Sequence, residues 1–227
     1  MEIPTEELVK VLEKRNKQPD TLLQIIDEYG RMFIYYQSAI DEIETKLKII
    51  DRELSNPGTI GRKNVIHQIQ TRVKSLESIV KKLERKDLQF SREIVEKELS
   101  DVAGIRMICS YIDDIYAVLD SLAAQSDVTV LEIKDYIKNP KPSGYRSLHV
   151  ILEIPVFFFK ETKRIKVELQ IRTIAMDFWA SLEHGLRYKL ETDDPDLSRR
   201  LEQTATTISN LENEMLMIRS KIEAQIE

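Results

Sequence analysis

The residues Leu22, Ile26, Tyr29, Phe33, Tyr36, Ile40, Ile43, Leu47, Ile50 and Leu54 follow one another at alternating spacings of four and three. An extended strand cannot place side chains on one side at that interval, but a helix does, so the segment is committed to one long helix with an apolar stripe. Asp20 stands where an N-cap belongs, and Asn56-Pro57-Gly58 is a strong breaker. Gly30, inside the run, costs about 1 kcal/mol relative to alanine. A second stripe closes the chain: Leu201, Ala205, Ile208, Leu211, Met215, Ile218 and Ile222, after the acidic turn Thr192-Asp193-Asp194-Pro195-Asp196. Each stripe needs a partner surface, which the chain's own core or a second subunit can supply.

The 227 residues are 42% apolar and 32% charged, the composition of a soluble chain able to bury a core. No stretch of about 18 uncharged apolar residues occurs, and the N-terminus lacks the basic-then-apolar order of a secretion signal. A cytoplasmic protein with no membrane contact is the expectation. The single cysteine, Cys109, lies in Arg106-Met107-Ile108-Cys109 and reads as a buried structural thiol rather than a nucleophile.

Net charge is −5, which argues against a general nucleic-acid binder and gives no indication of RNA binding. Residues 62–87 nevertheless carry eight Lys or Arg against three acids, a local net of +5. A solvated helix face explains such a run unless other features give it an anionic partner.

Between the stripes the pattern is mixed. A basic helix of about residues 62–86 and a short helix begun by Ser91 precede a β-rich stretch, with strands expected at Val102–Tyr111, Val128–Lys134, Arg146–Phe159 and Arg164–Thr173. Asp113 is expected to cap a helix running to about Ala124, and a last core helix spans Ile174–Leu190. This order predicts an α/β (α+β) fold, a mixed sheet flanked by helices rather than a regular parallel Rossmann sheet. The regions are 1–59, helical; 60–190, the α/β core; and 191–227, a C-terminal helix suited to oligomerisation. Neither Gly-x-Gly-x-x-Gly nor a Walker loop is present, so side chains must hold any nucleotide.

The segment Ile165-Lys166-Val167-Glu168-Leu169-Gln170-Ile171-Arg172 alternates throughout, so Lys166, Glu168, Gln170 and Arg172 share a face that is either wet or a cleft. Asp101 directly precedes the apolar 102–108 strand. If the two strands are neighbours, Asp101 and Glu168 suit Mg²⁺, which takes one or two protein carboxylates together with phosphate oxygens and water. Without that pairing, Asp101 reads as a strand-end turn carboxylate. Pro140-Lys141-Pro142-Ser143-Gly144-Tyr145-Arg146-Ser147-Leu148-His149 carries cations and an aromatic ring through a turn into a strand, a combination suited to a base and its phosphates, although taken alone a Pro/Gly turn with a half-buried tyrosine is the commoner explanation.

Taken together, Tyr136-Ile137, the 140–149 segment and Glu168-Leu169-Gln170-Ile171-Arg172-Thr173 resemble the synthetase signatures of the RelA/SpoT family. Arg72-Val73-Lys74, Lys82, Asp101-Val102-Ala103-Gly104-Ile105-Arg106 and Met176-Asp177-Phe178-Trp179-Ala180-Ser181-Leu182-Glu183-His184 match in order and spacing. The resemblance covers roughly residues 60–190 and is nearest to the single-domain small alarmone synthetases, of the RelP type more than the RelQ type. It implies a nucleotidyltransferase-like core that moves the β,γ-pyrophosphate of ATP to the 3′-hydroxyl of GDP or GTP, making ppGpp or pppGpp and AMP, in a bacterial stress response. It further implies a homo-oligomer, a tetramer in relatives.

By motif position, the resemblance assigns Arg72 and Arg106 to the adenine of ATP and Lys74 and Lys82 to its phosphates. Asp101 and Glu168 match the catalytic, Mg²⁺-binding acids, with Glu168 also placed to accept the 3′-hydroxyl proton. Tyr145 matches the residue that stacks on guanine, Lys141, Ser143 and His149 fall in the GDP/GTP-binding loop, and Gln170 and Arg172 continue beside them. Two departures stand out. Glu132-Ile133-Lys134-Asp135 replaces an Arg-x-Lys-Asp element, and Gln68 and Gln70 stand where RelQ-type enzymes carry an aromatic residue and a threonine, so strong activation by pppGpp is not expected. Histidines 67, 149 and 184 are not followed by Asp, so the hydrolase His-Asp motif is missing. The rival reading is a non-catalytic oligomeric module that binds nucleotides or RNA on the same fold.

Overall fold

The computed structural model describes residues 19–56, 64–189 and 194–225. The Pro57-Gly58 breaker, Arg62, Lys63 and the first part of the acidic turn lie outside them. The order is α1 (Pro19–Leu54), β1 (Ile66–Val73), α2 (Leu76–Glu84), α3 (Arg92–Glu98), β2 (Ala103–Cys109), α4 (Ile112–Ala123), β3 (Thr129–Asp135), β4 (Leu148–Phe157), β5 (Thr162–Thr173), α5 (Ile174–Lys189) and α6 (Pro195–Glu223). The strands form one sheet in the order β1-β2-β5-β4-β3. Only β2 and β5 pair in parallel; the other neighbours are antiparallel. The mixed sheet with flanking helices is as the sequence leads one to expect.

Period-two alternation divides this sheet into two faces. Ala103, Ile105 and Met107 of β2, Ile165, Val167, Leu169 and Ile171 of β5, and Leu148, Val150, Leu152 and Ile154 of β4 are all buried. They form one core with α1 and α4, in which Cys109 is fully enclosed. Burial pushes its thiol pKa far up, as a structural cysteine requires.

Helix α1 lies on this face, with Tyr29, Tyr36, Ile40, Ile43, Leu47 and Ile50 buried. Its stripe therefore packs within its own chain. Towards the N-terminus the buried positions become Ile25, Met32 and Ala39, while Ile26 and Phe33 are half-buried. A straight helix slips about 20° per heptad against a strict 3.5-residue repeat, so a stripe read as a coiled-coil seam rotates gradually off the surface it covers. Asp51 Oδ1 accepts from Ile66 N (2.9 Å), tying the end of α1 to the start of β1.

The expected basic helix over 62–86 is corrected. Residues 66–73 are the edge strand β1, and helix begins only at Leu76, where Ser75 caps Ser78 N. The register shows the cause: Ile66 pairs with Cys109 and Gln68 with Ile108, so His67 is an extra residue in a bulge. The bulge returns Ile66 to the face of Ile69 and Val73, and the apolar spacing of three and four then imitates a helix. A second correction concerns α4. Its N-cap is Tyr111, whose backbone N–H donates to Asp114 Oδ2 (3.2 Å), and Asp113 instead pairs with Arg219 of α6. Ser91 does cap α3.

Because Leu47 of α1 is fully buried in the core, Leu47→Ala is expected to cost about 2–5 kcal/mol in urea unfolding. A loss well under 1 kcal/mol would mean that α1 is not part of the folding core.

Candidate active site

The second face of the sheet is built in rows, because residues directly opposite in register share a face. One row runs Gln70, Arg106, Gln170, His149, Lys134; the next runs Arg72, Gly104, Glu168, Ile151, Glu132. The polar residues of β5 thus meet polar residues from four other strands, which makes this a cleft rather than a merely solvated face. Lys166 is the exception: its Nζ donates to Glu96 O and Lys97 O (3.1 and 3.2 Å) at the end of α3, a helix-capping role.

Gln70, Arg72, Gly104, Arg106, Glu168 and Gln170 line an open cleft of about 200 Å³. Arg72 lies across Gly104, so a methyl group there would meet its Cγ and Nε at 3.5 Å. Burial lowers the pKa of Arg106, and the charge of Arg172 lowers it further, the mark of cations crowded together with few anions. Gln170 Nε2 donates to Glu168 Oε2 (3.2 Å) and orients the carboxylate.

Asp101 sits just before β2, on the strand beside that of Glu168. Its Oδ2 is held by Lys74 Nζ and by Lys82 Nζ (2.6 Å), joining the end of β1 to α2. Burial pushes the Asp101 carboxyl up, but the hydrogen bonds and charges of the two lysines together outweigh it and hold the group below its ordinary value. Its Oδ1 is buried and without a hydrogen-bond partner. A hard-oxygen donor left over in this way fits Mg²⁺. Among the described residues no three His, Cys, Asp or Glu converge, so a cation here would rest on one or two carboxylates plus substrate oxygens.

On the other side of Glu168 lies the 140–149 segment. Lys141 N donates to Tyr145 O and Gly144 N to Lys141 O, closing a tight loop that Gly144 completes at φ +88°. Ser143 Oγ accepts from Tyr145 N (3.4 Å). The Tyr145 ring is surrounded by Lys141 Nζ at 5.1 Å, Arg172 at 5.2 Å and the His149 ring at 5.9 Å. Arg172 Nη2 donates to Tyr145 Oη (2.8 Å), so the tyrosine proton is free to go to His149 Nε2 (2.9 Å). Nδ1 then carries the imidazole proton and faces Glu168 Oε1 at 3.8 Å. The structure therefore gathers Lys141, Ser143, Tyr145, His149, Gln170 and Arg172 on one flank of Glu168 and Arg72 and Arg106 on the other, while Lys74 and Lys82 gather on Asp101.

Two contributors escape a reading of the sequence as a source of site residues. Asp177, in the first turn of α5, accepts from Arg172 Nη1 (3.0 Å) and faces Arg106 Nη1 at 3.8 Å. From sequence it is an acid at a helix start, where the dipole alone accounts for it. Tyr136 lies under Lys141 Nζ (4.7 Å) and edge-on to His149 (5.3 Å). The other two residues of interest here are Trp179, which is buried and donates to Leu201 O, and His184, which is exposed.

Burial pushes the His149 pKa down to about 4, helped by the charges of Arg172, Lys141, Lys134 and Arg106. The native state holds neutral imidazole, so this contribution to stability is complete above the unfolded value of about 6.5 and is lost as pH falls towards about 4. In metal-free and nucleotide-free buffer, the fall in unfolding free energy across that window is expected to be shallower in His149→Gln than in the unsubstituted chain. Parallel profiles would place the histidine in water.

Against known proteins, the family model described as "Region found in RelA / SpoT proteins" matches residues 71–193. The chain is 42% identical over 205 residues to the GTP pyrophosphokinase YwaC of Bacillus subtilis, covering 90% of this chain and 96% of that one. It is 36% identical over 197 residues to the GTP pyrophosphokinase YjbM of the same organism, covering 86% and 90%. Among solved structures, the small alarmone synthetase 1 of Bacillus subtilis bound to its product pppGpp superposes with a TM-score of 0.75 at 35% identity, over 86% of this chain and 98% of that one. The chain is a member of the RelA/SpoT family.

Proposed function

We propose that the cleft transfers the β,γ-pyrophosphate of ATP to the 3′-hydroxyl of GDP or GTP. The chain is a GTP pyrophosphokinase, a (p)ppGpp synthetase of the small alarmone type. One observation carries the residue assignment: Glu168 projects from β5 between an arginine-lined flank on β1 and β2 and an aromatic, cationic flank on the 140–149 segment and β4. Two polyanionic nucleotides need two cationic surfaces with the reacting atoms between them.

On this reading Arg72 and Arg106 hold adenine, and Lys74 and Lys82 serve the ATP phosphates. Tyr145 stacks on guanine, with Lys141, Ser143 and His149 on the acceptor's phosphates and sugar. The 3′-oxygen attacks the β-phosphorus, the α–β bridging bond breaks, and AMP leaves as the β- and γ-phosphates move together. Glu168 accepts the hydroxyl proton, and the surrounding cations stabilise charge developing on the bridging oxygen. Asp101, through its free Oδ1, and Glu168 would hold Mg²⁺, which would neutralise charge on the phosphates. Gln68 and Gln70 favour a RelP-like enzyme weakly activated by pppGpp. A purely binding module is not favoured, because Asp101, Tyr145 and Glu168 are all retained.

We place the synthetase core at residues 60–190, in the cytoplasm, in a homotetramer. Leu211 (64% exposed), Met215, Ile218 and Ile222 of α6 and Phe178, Leu182 and Leu186 of α5 stand exposed at helical spacings, and apolar stripes of this kind are normally covered. Among the described residues no helix is long and apolar enough to cross a membrane.

Glu168→Gln is expected to remove turnover almost completely while leaving thermal unfolding unchanged; a near-normal rate would remove Glu168 from the site. Tyr145→Ala should weaken guanine-nucleotide binding by about 1–3 kcal/mol in calorimetry while ATP binding holds. Equal losses for both nucleotides would make the tyrosine structural. Polar replacement of Leu211, Met215 and Ile218 together should lower the native mass, whereas an unsubstituted chain that is already monomeric would refute the assembly.

A further inference from the structure

Helix α6 has two stripes, and the buried one carries polar groups among its apolar residues. Ala205 and Glu212 are buried, and Ser209, Leu216 and Arg219 are partly buried between and beyond them. The apolar stripe from Leu211 to Ile222 points elsewhere. The buried stripe meets the acceptor flank of the cleft. Arg146 Nη1 donates to Ser209 Oγ (2.6 Å) and to Glu212 Oε2 (3.2 Å), and Thr173 Oγ1 donates to Glu212 Oε1. One turn earlier, a methyl group on Gly144 would meet Ala205 Cβ at 2.5 Å, and Trp179 Nε1 donates to Leu201 O (3.2 Å).

The partners of Glu212 are the residues next to the two that define the guanine flank. Arg146 follows Tyr145, and Thr173 follows Arg172, whose guanidinium donates to the Tyr145 hydroxyl. A single carboxylate on α6 thus ties the turn that bears the ring to the strand end that orients it. Stability does not explain its presence, because taking an ion pair out of water costs about as much as the pair returns. Burial pushes the Glu212 carboxyl up, with the Thr173 hydrogen bond and the Arg146 charge opposing. What such a pair does supply is a fixed geometry, at a position where a shift of the ring would be felt by the bound base.

We propose that Glu212, with Ser209, is a positioning residue for the guanine nucleotide: α6 holds Tyr145 in its stacking orientation from outside the cleft and so sets acceptor affinity. This rests on the synthetase reading above. ATP meets Arg72, Arg106 and Lys74 across β5, so the helix should have little effect on that side.

The test is steady-state kinetics with each nucleotide varied in turn. Glu212→Ala is expected to raise the KM for GTP about ten-fold, the weight of one charge-assisted buried hydrogen bond, with the KM for ATP changed less than about two-fold. Glu212→Gln keeps the shape and an acceptor oxygen and should recover most of the loss. Ser209→Ala removes one hydrogen bond without stranding a charge, and it should shift the GTP KM in the same direction by a smaller factor, even if Glu212→Ala fails to fold. The two KM values rising together, kcat falling alone, or an unchanged GTP KM in folded Ser209→Ala and Glu212→Gln would overturn the positioning role. An unsubstituted chain that makes no guanosine pentaphosphate would overturn the synthetase reading itself, a separate result.

Discussion

The structure depends on the alternation of β5 next to a parallel β2. Ile165, Val167, Leu169 and Ile171 bury one face of the strand, and that burial leaves Lys166, Glu168, Gln170 and Arg172 on the other. A one-residue slip would invert both sets, so the hydrophobic core and the placement of Glu168 are secured by the same pairing. Beside it, Gly104 offers no side chain, and the space is used by Arg72 from the next strand. Helix α1 covers the apolar face, and the polar face stays open.

Electrostatics in the cleft follow from that arrangement. Arg72, Arg106, Lys141 and Arg172 stand on the two sides of Glu168 while Lys74 and Lys82 gather on Asp101, and among the described residues Asp101 answers the two lysines and Asp177 answers Arg172 and Arg106. On the proposed function, the cost of holding cations near one another would be recovered when anionic substrates enter, and the field would already be in place when charge moves onto the leaving nucleotide. A neutral His149 within hydrogen-bonding distance of Tyr145 fits the same logic, since a further positive charge there would be opposed by Arg172 and Lys141.

Much of this was legible in the residues. The eight-residue alternation of 165–172 shows a strand with two unlike faces, and the burial confirms it. Cys109 as a core thiol, Ser91 as a cap and the turn at Gly144 are of the same kind, because each is a local rule acting on local sequence. Residues 66–73 were not legible, since one bulged residue, His67, converts a two-residue period into a spacing of three and four. Asp177 and Glu212 were not legible either. Each works through partners remote in sequence, and to a local rule Asp177 is a helix-start acid and Glu212 one polar residue beside an apolar stripe. The buried stripe of α6 went unseen because the apolar one beside it carries the stronger pattern.

The central claim is that the two flanks of Glu168 bring the β-phosphorus of ATP to the 3′-hydroxyl of a guanine nucleotide. It is tested most directly by following label from ATP in the presence of Mg²⁺ and GTP. Label from the γ-position should appear in a guanosine pentaphosphate, and label from the α-position should remain in AMP. Formation of ADP, or transfer of the α-label to the acceptor with release of pyrophosphate, would contradict the account.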